Sequence, residues 1–332
     1  MSRQRAAQFG TGHGHADGKL ISLRSNPDVE FVGLYEPDLE RRRLLEGTLG
    51  AYAGVRWLES ASEVMEDRSI TLVASEARND QSLAQTAALV RAGKHVWYDK
   101  PAGDDWPLWQ EVAAQVRNRG TLLQMGYMFR YHEGFRRIQD WVSAGVLGDV
   151  FSVRAHMSTS LDLAARAVIA RHRGGIFYDL AGHMLDQVVT ILGRPDKVTS
   201  FFGRHGAPVE GFDDNTLGVL EFPKALAIID ISAMEAPPMA RRFEVYGSRG
   251  SAILEPFEPS GPIRLCLSQA AAGFDAGVNV VPVPQQSRQD LYDCELRDIV
   301  EVLSGRKPAE RSLDHDTLVQ ETLLRFTQGI PS

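Results

Sequence analysis

Apolar residues in the first third of the chain come in short runs separated by amphipathic stretches. Residues 6–9, "VEFVGLYE", "VRWL", "ITLVAS", "HVWYDK" and "TLLQMGY" read as strands, and 39–49, 61–65, 81–92 and 106–119 carry helical spacing between most of them. Strands and helices alternating at this rhythm predict a doubly wound parallel sheet, whose ligands belong at the carboxyl ends of its strands. Further strand-like runs follow later: "FSVRAHM", "KVTSFFGR", "NTLGVLEF", "LAIIDIS", "RRFEVYGS", "GSAILEP" and "IRLCLS". Within this second block, between "FSVRAHM" and "KVTSFFGR", lies "GGIFYDLAGHMLDQVVTILGRP". Asp179, His183 and Asp186 stand at i, i+4 and i+7, so a helix here carries all three on one side. Leu180, Met184, Leu185, Val188, Val189, Ile191 and Leu192 fill the other side, and Gly193 and Pro195 end it. A polar stripe of this kind fits a surface helix facing water. Its content (Asp, His, Asp and Thr190, not Lys, Glu and Arg) also fits the wall of a cleft.

The first strand runs into "GTGHGHADGKLISL". Strand, glycine turn, helix is the context in which a Gly-rich loop becomes informative. Gly10 and Gly12 occupy the first two positions of G-x-G-x-x-G, where they allow a tight turn and close approach of a pyrophosphate to the helix N-terminus. His15 stands at the third position, and Gly14 comes one residue early. Glu36 closes the second strand, where an acid accepts hydrogen bonds from an adenosine ribose and repels a 2′-phosphate. That favours NAD over NADP. Lys100 ends "HVWYDK", and Pro101 keeps it out of helical geometry.

Composition narrows the class without naming a partner. The 332 residues suffice for two domains, taken as 1–124 and 125–332. A net charge of −7 argues against a large basic nucleic-acid surface. No apolar run is long enough to cross a bilayer, and "MSRQRAAQFG" lacks a signal-peptide core. Cys266 and Cys294 are the two cysteines; they show no metal-ligand spacing, and no metal site is nominated. A reducing, cytoplasmic setting is the expectation.

These segments resemble the Gfo/Idh/MocA oxidoreductases, the glucose-fructose oxidoreductase and inositol dehydrogenase group, over most of the chain. "AGKHVWYDKPAG" is similar to the family's A-G-K-H-V-x-x-E-K-P, with Ala92, Gly93, Lys94, His95, Val96, Lys100 and Pro101 matching and Asp99 replacing the usual Glu. "GYMFRYHEGFRRIQDWVSAGVLGDV" resembles the entry to the family's second domain, and "GGIFYDLAGHMLDQ" resembles its G-G-x-x-x-D-x-x-x-H-x-x-D helix. "SEARNDQS" departs from the family's T-P-N-x-x-H stretch after the "ITLVAS" strand. The resemblance implies an α/β protein: an N-terminal Rossmann domain, then an α/β domain on a large, mainly antiparallel open sheet. It also implies a homodimer or homotetramer, formed through the sheet's free face.

The resemblance assigns catalysis to Lys100, Asp179 and His183. The chemistry is consistent with this, because oxidising a secondary alcohol needs a base at the hydroxyl and a donor for the developing oxyanion. The candidate cofactor set is Gly10, Thr11, Gly12, His13, Glu36, Lys100 and Pro101. The candidate substrate set is Tyr127, Arg130, Arg173, Asp179, His183 and Asp186, with a sugar, inositol or sugar acid as substrate. Arg171, His172 and Arg173 could read a carboxylate or phosphate, or form a charged surface loop. Two alternatives keep the scaffold: an NAD-dependent glycoside hydrolase or epimerase-like enzyme that oxidises transiently, and a non-catalytic NAD-binding regulator.

Overall fold

The computed structural model describes residues 3–206 and 209–330. They gather into two compact units, Met1–Met128 with Arg288–Asp316, and Phe129–Ser287 with Thr317–Ser332.

The first unit is a parallel sheet of β1 (Gln4–Phe9), β2 (Val29–Tyr35), β3 (Leu72–Ser75), β4 (His95–Tyr98) and β5 (Leu123–Met125), in the order β2-β1-β3-β4-β5. Ala6, Ala7, Leu72, Val73, Ala74, Val96 and Trp97 are buried on both faces of the sheet. That is why these strands read as continuous apolar runs instead of alternating ones. The helices are α1 (Ala16–Ser25), α2 (Leu39–Leu45), α3 (Ala61–Met65), α4 (Asn79–Arg91), α5 (Trp106–Arg119) and α9 (Arg288–Leu303). Local chemistry sets several of their ends. The Asp38 carboxylate accepts the Glu40 and Arg41 amides at the start of α2, and Ser60 with Glu63 closes a capping box on α3. Asp105 accepts the Leu108 amide at the start of α5, and Gly120 ends that helix at φ +64°.

Two sequence expectations change here. The run "VRWL" is not a strand of the sheet: Leu34 donates to Arg56 O, Leu58 donates to Leu34 O, and one bridge joins Leu34 to Trp57. The chain then leaves for the Ser60 cap, so "ITLVAS" supplies the third strand, not the fourth. The helix expected over 39–49 stops at Leu45, because Gly47 and Gly50 take φ +80° and +87°.

The second unit holds an eight-stranded sheet of β6 (Val150–His156), β7 (Lys197–Gly203), β8 (Asn215–Phe222), β9 (Ala225–Ser232), β10 (Arg242–Gly247), β11 (Gly250–Leu254), β12 (Ile263–Leu267) and β13 (Gly277–Val281). Its order is β13-β12-β11-β10-β6-β9-β8-β7, antiparallel throughout except for β6 beside β9. The helix α8 (Gly175–Leu192) packs on β6, β8 and β9. The opposite face presents Phe201, Leu226, Val278 and Val280 exposed, with Leu217, Val219 and Ile228 half-buried among them. The remaining helices include α6 (Glu133–Ser143), α7 (Leu163–Ile169) and α10 (Leu313–Gln328). Among the described residues, no helix is long and apolar enough to cross a membrane.

Candidate active site

In the first unit the nominated cofactor residues collect at the carboxyl ends of the strands. Gly10 directly follows β1, Glu36 directly follows β2, and Lys100 stands two residues beyond the end of β4. Gly10 has φ +86°, and a Cβ there would lie 3.0 Å from the Glu76 carbonyl. A Cβ on Gly12 would lie 2.7 Å from Arg78 N. The loop therefore requires glycine at both positions, and its backbone is left bare on the side where a pyrophosphate would approach. Gly10, Gly12, Glu36, Asp38, Arg41 and Arg78 are among the residues lining a cavity of roughly 200 Å³.

Glu36 is buried, and both of its carboxylate oxygens are engaged. Thr11 Oγ1 donates to Oε2 at 2.6 Å and the Asp38 amide donates to Oε1 at 2.9 Å. Arg41 Nε donates to Thr11 Oγ1 at 2.6 Å, which makes a chain from guanidinium to hydroxyl to carboxylate. Each carboxylate oxygen retains acceptor capacity for a ribose hydroxyl. The sequence reading missed Arg41, because an arginine in a run of three reads as a solvated helix face.

Beneath the loop lies a buried charge network that the sequence did not announce. Lys19 Nζ stands 2.9 Å from both Glu76 Oε1 and Asp99 Oδ2. His13 Nδ1 lies 3.3 Å from Asp99 Oδ2 and 3.7 Å from Glu76 Oε2, and His15 Nδ1 lies 3.0 Å from Asp99 Oδ1. Burial pushes Asp99 up, but His13, His15 and Lys19 outweigh it and hold the carboxyl well below the usual range. Burial lifts Glu76 to about 7 despite Lys19. His15 drops to about 4, chiefly through burial. Burial also opposes a charge on His13, yet Asp99 and Glu76 prevail and raise its pKa. His13, His15 and Asp99 are close enough to hold a cation. The Lys19 ammonium already supplies positive charge there.

This network fixes the backbone at Lys100. The Asp99 carboxylate accepts the Lys100 amide at 2.8 Å, and His13 Nε2 sits 3.0 Å from the Lys100 carbonyl, to which it can donate. The peptide between Lys100 and Pro101 is cis. Gly126, after β5, leaves room for Asp99 and Lys19, since a Cβ there would be 3.0 Å from Asp99 Oδ1. Tyr127 is buried beside it in sequence.

A raised histidine pKa contributes stability that is fully present below the unfolded value and lost as pH rises through the folded value. Urea titrations of wild type and His13→Gln should therefore differ most below the ordinary histidine value of about 6.5, and the gap should shrink as pH rises through the raised folded-state value. A gap that widens with rising pH would contradict the raised pKa of His13.

In the second unit, α8 begins where Gly174 and Gly175 take φ +91° and +49°. A Cβ on Gly174 would lie 2.4 Å from Thr327 Cγ2, and one on Gly175 2.3 Å from Asp213 O. The two glycines thus let the 211–213 loop and α10 close on the helix start. The stripe does not face open water. His183 and Asp186 are buried and Asp179 is half-buried, while Leu180, expected on the core side, is also half-buried. Phe129 stands edge-on to the His183 ring, with centroids 5.1 Å apart. Arg130 and Asp186, both nominated for substrate, are bonded to each other: Nε and Nη2 donate to Oδ1 at 2.9 and 2.8 Å, fully out of solvent.

Arg173 is placed differently. It is exposed and lines a cavity that Phe202 and Phe326 also border. Those two rings pack on Phe177, each at 5.0 Å. At about 100° per residue, Asp179 and His183 point about 200° and 240° round the helix from Phe177. Neither of them is among the residues that line the cavity with Arg173.

Comparisons with known proteins agree with this layout. Residues 5–127 match the family description "Oxidoreductase family, NAD-binding Rossmann fold", and residues 135–253 match "GFO/IDH/MocA C-terminal domain". The chain is 25% identical over 317 residues to scyllo-inositol 2-dehydrogenase (NAD(+)) of Bacillus subtilis, covering 91% of this chain and 86% of that one. It is 29% identical over 202 residues to an uncharacterized oxidoreductase of Escherichia coli, covering 59% of this chain but only 57% of that relative. An Agrobacterium radiobacter oxidoreductase, solved with NAD+, L-tartaric acid and magnesium, superposes with a TM-score of 0.83 at 15% identity, over 98% of this chain and 95% of that one. At that identity the likeness speaks for the fold alone.

Proposed function

Since the chain belongs to the Gfo/Idh/MocA oxidoreductase family, we propose that it is an NAD-dependent dehydrogenase acting on a CH–OH carbon of a sugar, inositol or related polyol. The observation that carries this reading is the gathering of Gly10, Gly12, Glu36 and Lys100 at the carboxyl ends of one parallel sheet, where dinucleotides bind. The fit to a dinucleotide is good: bare backbone at the Gly10–Gly12 turn for the pyrophosphate, and an acid at the end of β2 for the ribose.

When bound, the nicotinamide supplies the hydride acceptor. His183 takes the hydroxyl proton, Asp179 one turn earlier orients the substrate or the imidazole, and the Lys100 ammonium stabilises the developing alkoxide. Asp99 and His13 hold the Lys100 backbone, so they position the lysine rather than touch substrate. Arg130 and Asp186 form a buried pair about one turn after His183 and serve as support for the helix. The test is a panel of sugars and polyols with NAD and NADP, following absorbance of reduced nicotinamide. One class of polyol should drive reduction; binding of NAD with no reduction by any of them would favour the regulator reading.

NAD should bind more tightly than NADP, and Glu36→Ala should narrow the gap. Removing the carboxylate leaves the Arg41 guanidinium, held on Thr11, to meet a 2′-phosphate. Calorimetry with both nucleotides reads this directly, and equal affinities in the wild type would sink the assignment.

A homo-oligomer is proposed from the sheet face carrying Phe201, Leu226, Val278 and Val280, since an apolar patch of that kind marks an association surface. Sedimentation should give a dimer or tetramer at micromolar concentration. Leu226→Glu should shift it toward monomer, and a wild-type monomer would refute the proposal.

A further inference from the structure

The second unit contains a cavity of roughly 600 Å³ at the start of α8, beside the edge strand β7 and the end of α10. Its lining is strongly cationic. Arg171, Arg173, Arg204 and Arg325 line it beside a single carboxylate, Asp213. The chain as a whole is acidic, with net charge −7, so this concentration is not what composition alone would produce. Asp213 offsets one arginine, accepting from Arg204 Nε at 3.0 Å. Arg325 and Arg173 are not neutralised in that way. Arg325 is 9% exposed and donates to the carbonyls of Pro195 and Asp196, at 3.1 Å each, and it has no carboxylate partner among the described residues. Arg173 is exposed and makes no ion pair among the described residues.

We propose that this cavity is a binding site for a small polyanion bearing phosphate or carboxylate groups, separate from the site served by Asp179 and His183. Guanidinium groups converging on one cavity repel one another, and their field concentrates anions there. Planar forked donors match phosphate and carboxylate oxygens, which is why arginine rather than lysine suits such a site. The volume fits a ligand of sugar-phosphate size. The separation rests on the lining itself, which includes neither Asp179 nor His183. The proposal does not rest on the dehydrogenase reading, so either can fail alone.

The test is calorimetric titration of the full chain with glucose 6-phosphate, inorganic phosphate and citrate at matched ionic strength. Saturable binding with one site per chain is expected, weakened about tenfold or more by Arg173→Ala and again by Arg204→Ala, both surface changes. Tighter binding of the phosphate ester than of citrate identifies phosphate as the recognised group, and the reverse order identifies carboxylate; either supports the site. Binding that both variants leave unchanged means an adventitious ion only, held elsewhere, and overturns the proposal. So does a lack of saturable binding. If small anions fail to bind and Arg173→Ala instead dissociates an oligomer, the cavity receives an acidic segment of a second copy, and the small-molecule site is again refuted.

Discussion

His183→Asn lowers kcat by about a hundred- to ten-thousand-fold, the contribution of a positioned general base, and leaves NAD affinity almost unchanged. The expectation comes from the place of this imidazole: buried on α8, one turn after Asp179, with Phe129 set edge-on against its ring. Asparagine keeps the size and a polar tip but cannot take the proton. NAD affinity stays because the nominated nucleotide contacts belong to the first unit. Steady-state kinetics on the polyol found by screening, with nucleotide affinity measured by calorimetry, separates the two quantities. Near-wild-type turnover would return the helix to a structural role. Loss of folding would be visible in the far-ultraviolet circular dichroism, and His183→Gln would then replace it as the test.

Lys100→Met produces a second large loss, about a hundred- to a thousand-fold in kcat, as expected for removing a donor to a developing oxyanion. The side chain keeps its length and loses its charge. The backbone bonds from Asp99 and His13 to residue 100 do not involve the ammonium, so the fold and the first-unit network should stay intact. Combined with His183→Asn, the loss should fall well short of the product of the two, because both groups act on one substrate oxygen in the proposed mechanism. Strictly multiplicative losses would separate their roles.

The parallel sheet was legible because strands buried on both faces write themselves as apolar runs, as in "ITLVAS" and "HVWYDK". The helix α8 was legible for a different reason: glycines bracket it, and its apolar residues recur at helical spacing. "VRWL" misled because four apolar-rich residues cannot say whether a neighbouring strand will pair with more than two of their backbone groups. The strand β13 escaped because Val278 and Val280 face outward from an edge, where the alternation lacks a buried partner to sharpen it. The charge network is the clearest case of what local pattern conceals. Lys19 lies on α1 among ordinary helical residues and reads as a solvated lysine, yet it is fully buried against Glu76 and Asp99, brought there by chain crossings far apart in sequence. Arg130 and Asp186 likewise read as two separate polar candidates, and only the fold pairs them. The sequence does mark the places that make such crossings possible, since Gly12, Gly126, Gly174 and Gly175 stand where a Cβ would collide with the partner segment.

In the proposed reaction a hydride moves from a polyol carbon to a nicotinamide. The direct measurement uses the active polyol deuterated at the reacting carbon, with mass spectrometry of the nucleotide product. One deuterium is expected on the reduced nicotinamide for each polyol oxidised, with none acquired from heavy water when the substrate is unlabelled. Reduced nucleotide that lacks the label, or product formed with the label retained on its carbon, would contradict it.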